Sequence, residues 1–137
     1  MNQISQFILQ GREMSKKVLV VDDSEIVLDM ASEALVQNGY AVLTACSARE
    51  ADQFIYGVDR PDVIIIDVMM PALDGDRKTR MLKDDSATRL IPVLLLSSKS
   101  ERELVQLVME SGADGYIRKP FTFREMIERI EAVTAAD

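Results

Sequence analysis

Five short apolar runs, each followed by a segment of helical period, constrain this chain more than any other feature of it. They are Lys17 to Asp22 (KVLVVD), Tyr40 to Ala45 (YAVLTA), Val63 to Asp67 (VIIID), Ile91 to Ser97 (IPVLLLS) and Gly115 to Lys119 (GYIRK). Runs with so little polar alternation are what strands look like when both faces are covered. The segments between them carry apolar residues every three or four positions. From Glu25 to Asn38, the residues Ile26, Val27, Met30, Ala31, Ala34 and Leu35 make one helical face, with Ser24 as N-cap and Gly39 as a left-handed stop. Ala48 to Tyr56 and Gly75 to about Lys83 read as two further helices. Glu101 to Ser111 carries Leu104, Leu107 and Val108 and is ended by Gly112. A last helix presents Phe123, Met126, Ile127, Ile130 and Val133. Parallel neighbours need crossover connections, so this alternation predicts an α/β fold: a five-stranded parallel sheet with helices on both faces. The expected arrangement is flavodoxin-like, (βα)5, with strand order 2-1-3-4-5.

A chain of 137 residues fits one domain. On folding it buries roughly 65–70% of its unfolded surface, enough for a core without disulfides. Cys46 is the only cysteine, so no internal disulfide forms; it reads as a small core residue in a reducing cytoplasm. The net charge of −7 repels a phosphate backbone, and no direct nucleic-acid binding is expected. There is no histidine, which excludes histidine triads and zinc proteases. Residues 1–15 lack the basic start and long apolar core of a secretory signal and read as an N-terminal extension, with Ile4, Phe7 and Ile8 at helical spacing. No run reaches the roughly 18 apolar residues of a membrane span. The folded domain is expected over residues 16–137.

Ligands in such folds bind outside the carboxyl ends of the strands. Here the first strand ends in Asp22-Asp23, the third in Asp67, the fourth in Ser97-Ser98 and the fifth in Lys119-Pro120. In the order 2-1-3-4-5 the first and third strands are neighbours, and three carboxylates, a hydroxyl and an ammonium converge on one rim. Singly, each has a structural reading: the aspartates as turn formers or helix caps, Ser97 as a cap, Lys119 as a solvated charge. Gathered, they repel. A carboxylate pair at ~4 Å costs roughly 4 kcal/mol at an effective dielectric of 20, so the cluster calls for a cation. Oxygen-only ligands select a hard one, and Mg²⁺ fits best. A carboxylate in that setting can also be the nucleophile that forms an aspartyl-phosphate. Such transfer rests on charge neutralisation and positioning, and requires no histidine on this chain.

From about Lys17 to Val133 the chain resembles the receiver domains of response regulators in two-component signalling, here as a stand-alone receiver. Asp22-Asp23 match the family's metal-binding acidic pair, and Asp67 in DVMMPALDG matches the phosphoacceptor. Ser97 matches the Ser/Thr switch, Tyr116 the aromatic switch, and Lys119-Pro120 the lysine with its following proline, usually cis. The resemblance implies that Asp67 takes a phosphoryl group from a partner histidine kinase or phosphotransfer protein. Mg²⁺ is then held by Asp23, Asp67 and the backbone carbonyl of Met69, with Asp22 acting mostly through water. Ser97 moves to hydrogen-bond the phosphoryl group, and Tyr116 turns inward. The face of the fourth helix, fifth strand and fifth helix then changes shape for a downstream protein, with the domain a monomer or a phosphorylation-dependent dimer. Met69 and Lys99 stand in variable positions that tune dephosphorylation. Ser98 replaces a frequent alanine.

The resemblance thus implies a signalling domain that promotes only its own phosphorylation and dephosphorylation. Without histidine, its phosphodonor is another protein or a small molecule. Output is expected through protein contact, since the pattern runs nearly to the C-terminus with no DNA-binding or cyclase module. The alternative is a pseudo-receiver, a binding module that works without phosphorylation; the intact set Asp23, Asp67, Ser97 and Lys119 argues against it. A phosphatase of the haloacid-dehalogenase type wants a second aspartate two residues after the nucleophile, where Met69 stands. A nucleotide-binding flavodoxin-like domain wants a glycine-rich loop after the first strand, where DDSE stands.

Overall fold

A computed structural model describes residues 15–71 and 73–134. Ile4, Phe7 and Ile8 lie outside them. The main elements are β1 (Lys17–Val21), α1 (Glu25–Gln37), β2 (Ala41–Ala45), α2 (Ala48–Ile55) and β3 (Val63–Asp67). They continue with α3 (Gly75–Asp84), β4 (Val93–Ser97), α4 (Glu101–Ser111), β5 (Gly115–Arg118) and α5 (Phe123–Thr134). The strands form one parallel sheet in the order β2-β1-β3-β4-β5. This is the expected doubly wound, flavodoxin-like arrangement.

Side chains alternate between the two faces of each strand, and the core divides accordingly. Leu19, Val21, Ile64, Ile66, Val93 and Leu95 pack with Ala51, Ile55, Leu82 and Leu104, placing α2, α3 and α4 on one face. Val18, Val20, Val63, Ile65, Leu94 and Leu96 pack with Leu28, Ala31, Leu35, Met126 and Ile130, placing α1 and α5 on the other. Each of the valine, leucine, isoleucine and methionine side chains among them contributes about 1.5–3 kcal/mol by leaving water. β3 is buried along its whole length, including its terminal carboxylate.

Local signals set the helix ends. The Ser24 and Ser47 side chains accept N–H groups of Val27 and Glu50, and Ser100 with Glu103 forms a capping box on α4. Gly39 takes φ +87° just past α1, as the left-handed stop requires. α3 is poor in apolar residues and is held by ion pairs in addition to the buried Leu82. Lys78 pairs with Asp52 on α2 at 2.6 Å, and Lys83 with Asp114 at 2.8 Å.

Three expectations need correction. The buried stripe of α1 is Leu28, Ala31, Ala34 and Leu35, while Ile26 and Met30 are 72% and 44% exposed. Apolar identity alone does not tell which side of a helix faces the sheet. Phe123 at the start of α5 is likewise exposed rather than part of its core stripe. Cys46 is exposed too, because it lies past the end of edge strand β2; its thiol donates to Glu50 Oε1 at 3.2 Å.

Candidate functional site

The parallel register brings four strand ends to one rim. Val21 on β1 is level with Ile66 on β3, so Asp22 follows beside Asp67. Asp67 in turn is level with Leu96, one residue before Ser97, and Ser97 is level with Arg118, one residue before Lys119. Asp22, Asp23 and Asp67 each offer a carboxylate oxygen, and these oxygens lie within 4.8 Å of one another. Asp22 is fully buried and Asp67 is 5% exposed, whereas Asp23 faces solvent.

Lys119 is the counter-charge. Its Nζ donates to Asp22 Oδ2 at 2.9 Å and to Asp67 Oδ2 at 3.2 Å. Its backbone N–H donates to the Ser97 carbonyl at 2.8 Å, which fixes the end of β5 against β4. The Lys119–Pro120 peptide is cis. The remaining oxygens of the two buried carboxylates are also engaged. Asp22 Oδ1 accepts the Ser24 N–H and Asp67 Oδ1 accepts the Met69 N–H, each at 2.9 Å.

Burial is the largest influence on Asp67 and pushes its carboxyl pKa up. The Met69 N–H pulls it down, the Asp22 charge adds to the rise, Lys119 opposes it, and the net direction is upward. Burial pulls Lys119 down, but its contacts with Asp22 and Asp67 outweigh that and hold it above the ordinary lysine value. One ammonium among three carboxylates leaves the rim under-neutralised. The donor set is all oxygen, compact, and open to solvent at Asp23, which suits a hard divalent cation that keeps some of its water.

Ser97 is buried at the same rim, and its Oγ accepts the Lys99 N–H at 3.1 Å. It does not cap α4; Ser100 does. Tyr116 lies on the sheet edge with its hydroxyl donating to Glu101 Oε1 at 2.7 Å, and the Arg129 guanidinium sits 4.7 Å from its ring centre. It therefore faces outward. The Met69 side chain is exposed, and its backbone pairs with Asp74 in a two-residue hairpin, Met69–Met70 against Leu73–Asp74.

Three features of this region were not singled out from sequence. Gly75 comes so close to β3 that a Cβ there would lie 2.2 Å from the Asp67 carbonyl oxygen, and its N–H donates to the Val68 carbonyl at 3.1 Å. Glu101 and Arg129 surround Tyr116, and Arg118 reaches the carbonyl of Lys99 at 3.1 Å. The Asp-Gly pair at 74–75 was a visible turn signal. The partners of Tyr116 come from separate elements and leave no local pattern.

Among the described residues, no helix is long and apolar enough to cross a membrane. The family model "Response regulator receiver domain" matches residues 18–131. The phosphate regulon transcriptional regulatory protein PhoB of Pseudomonas aeruginosa is 40% identical over 121 residues, 88% of this chain and 52% of that protein. The chain spans about half the length of the curated relatives it matches. The chemotaxis response regulator CheY4 of Vibrio cholerae superposes with a TM-score of 0.80 at 34% identity, covering 88% of this chain and 99% of that one. The beryllofluoride-activated receiver domain of DrrB, from Thermotoga maritima, gives 0.73 at 31%, covering 89% and 99%. With the fold, the acidic rim and these matches in agreement, the chain belongs to the response regulator receiver domain family.

Proposed function

We propose that this domain is the phosphoacceptor of a cytoplasmic two-component phosphorelay, and that Asp67 receives the phosphoryl group from a partner histidine kinase or phosphotransfer protein. One observation carries the reading: three carboxylates within 4.8 Å, with the Lys119 ammonium donating to two of them. Asp22, Asp23 and Asp67, with the Met69 backbone carbonyl, would hold Mg²⁺. When bound, that ion supplies the positive charge that lets carboxylates and phosphoryl oxygens share one rim.

An Asp67 carboxylate oxygen attacks phosphorus, forming a P–O bond while the P–N bond to the partner's imidazole breaks. The imidazole nitrogen leaves with the bonding electron pair, and no proton is required from this chain. Lys119 stays beside the acceptor and balances charge on the transferred group. The product carries about −2 charge next to Ser97, whose hydroxyl is the nearby donor able to hydrogen-bond it. Ser97 then gives up its contact with Lys99, and Tyr116 turns inward. The face made by α4, β5 and α5 changes for a downstream protein, with or without dimerisation. The domain, residues 16–137 by this reading, promotes only its own phosphorylation and dephosphorylation. A binding module working without phosphate would use Lys119 only to neutralise the buried Asp22 and Asp67, and would not respond to a phosphoryl mimic.

Thermal melting tests the reading. Mg²⁺ with beryllofluoride, a phosphoryl mimic, should raise the melting temperature of wild type and leave D67N unmoved. At about a hundred times its dissociation constant the ligand adds ~2.7 kcal/mol. An unmoved wild type would contradict the assignment.

A further inference from the structure

Alternate residues of a strand share a face, and on β5 that places Tyr116 and Arg118 side by side. Both reach the same short stretch of chain. The Tyr116 hydroxyl donates to Glu101, and Arg118 Nε donates to the carbonyl of Lys99. Lys99 and Glu101 flank Ser100, the N-cap of α4. The same Lys99 donates its N–H to the Ser97 hydroxyl. Ser97, the β4–α4 segment and the start of α4 are thus fastened to β5 at two points, with Arg129 of α5 covering the Tyr116 ring.

We infer that Arg118 is a positioning residue that, with the Tyr116–Glu101 hydrogen bond, staples the β4–α4 segment in its resting arrangement and so sets how readily the domain switches. The inference rests on the proposed role of Ser97 and Tyr116. For Ser97 to turn to a phosphoryl group it must leave the Lys99 N–H, and Arg118 holds the next peptide of the same segment by the Lys99 carbonyl, which resists movement of the segment as a whole. For Tyr116 to turn inward it must leave Glu101. The phosphoryl group therefore works against both fastenings. Any free energy that they give to the resting state alone is subtracted from the binding of a phosphoryl group or its mimic. Arg118 and Glu101 are exposed, so each contributes modestly. A net hydrogen bond of this kind changes a conformational equilibrium about three- to tenfold.

The test is the affinity for beryllofluoride at saturating Mg²⁺, measured on wild type, R118M, R118K, E101M, R118M/E101M and D67N. R118M keeps the aliphatic stem and loses the guanidinium with its donors and its charge, while R118K keeps the charge and a donor. It should bind the mimic about threefold more tightly, the double variant about tenfold, and R118K should return toward wild type. Without the mimic, the amide resonances of Ser97 to Glu101 in R118M should move toward their mimic-bound positions, which loss of a merely structural contact would not produce. If wild type binds the mimic, D67N does not, and R118M binds no more tightly than wild type, the staple is refuted while the Asp67 assignment stands. If wild type itself binds no mimic, the Asp67 assignment fails and the staple fails with it.

Discussion

Replacing Asp67 with Asn should make the metal-free domain more stable. The Asp67 carboxylate is 5% exposed and sits within 4.8 Å of carboxylate oxygens on Asp22 and Asp23. At that separation and an effective dielectric of 20, each repulsion is at least about 3 kcal/mol. The Lys119 ammonium at 3.2 Å returns about 5 kcal/mol on the same scale. Asp23 is exposed, so water screens its share, and the charge interactions nearly cancel. What remains is the cost of taking a carboxylate out of water, the largest influence on Asp67 and the one that pushes its pKa up. Asn avoids that cost. Its Oδ1 can still accept the Met69 N–H, and Lys119 keeps its 2.9 Å contact with Asp22. We expect a gain of about 1–2 kcal/mol, a melting-temperature rise of about 3–8 °C for a domain of this size.

The pH dependence has a definite sign. A carboxyl with a raised folded pKa binds more protons folded than unfolded, so its cost to stability is absent below the ordinary carboxyl value, grows as pH rises from there to the raised value, and is full above it. The advantage of D67N should be full above the raised value, shrink as pH falls below it, and vanish below the ordinary carboxyl value. Mg²⁺ should reverse the order, because wild type gains a ligand that the variant binds poorly. The assay is thermal or denaturant unfolding of both proteins across pH with chelator present. D67N melting at or below wild type at neutral pH would refute the reasoning.

K119M should destabilise the metal-free domain by about 2–4 kcal/mol, since it leaves the fully buried Asp22 carboxylate without its cation; urea melts should show the loss, and Mg²⁺ should recover part of it. Because the Lys119 pKa is raised, this contribution is present in full below the ordinary lysine value and disappears only as pH rises through the raised one. G75A should cost about 1–3 kcal/mol and slow phosphoryl uptake, because its Cβ would meet the Asp67 carbonyl at 2.2 Å and backbone must move; stability and acetyl phosphate kinetics check the two effects. S100A should remove the capping box of α4 and lower stability by about 1 kcal/mol, read from the melting temperature.

Sequence carried the fold because the central strands are continuous apolar runs and three of the four crossover helices start at a serine cap. KVLVV, VIIID and VLLLS are buried along all or nearly all of their length, as unbroken runs require. The rim was legible because parallel register alone brings Asp22, Asp67, Ser97 and Lys119 to one end of the sheet. Side chains on helix surfaces were less legible. Ile26, Met30 and Phe123 are as apolar as Leu28 and Met126, and only the packed sheet decides which of them it covers. Cys46 was misplaced because its position past an edge strand, unlike its residue type, does not show in composition. The partners of Tyr116 were hidden for another reason: Glu101 begins one helix and Arg129 lies within another, so their meeting depends on how α4 and α5 flank β5.

Intact mass after incubation with acetyl phosphate and Mg²⁺, on wild type and D67N, tests the phosphoacceptor assignment most directly. Wild type should gain one phosphoryl group, ~80 Da, in a form labile to alkali and hydroxylamine as an acyl phosphate is, and D67N should gain none. A gain of equal size on both proteins would place the phosphate elsewhere and contradict the assignment of Asp67.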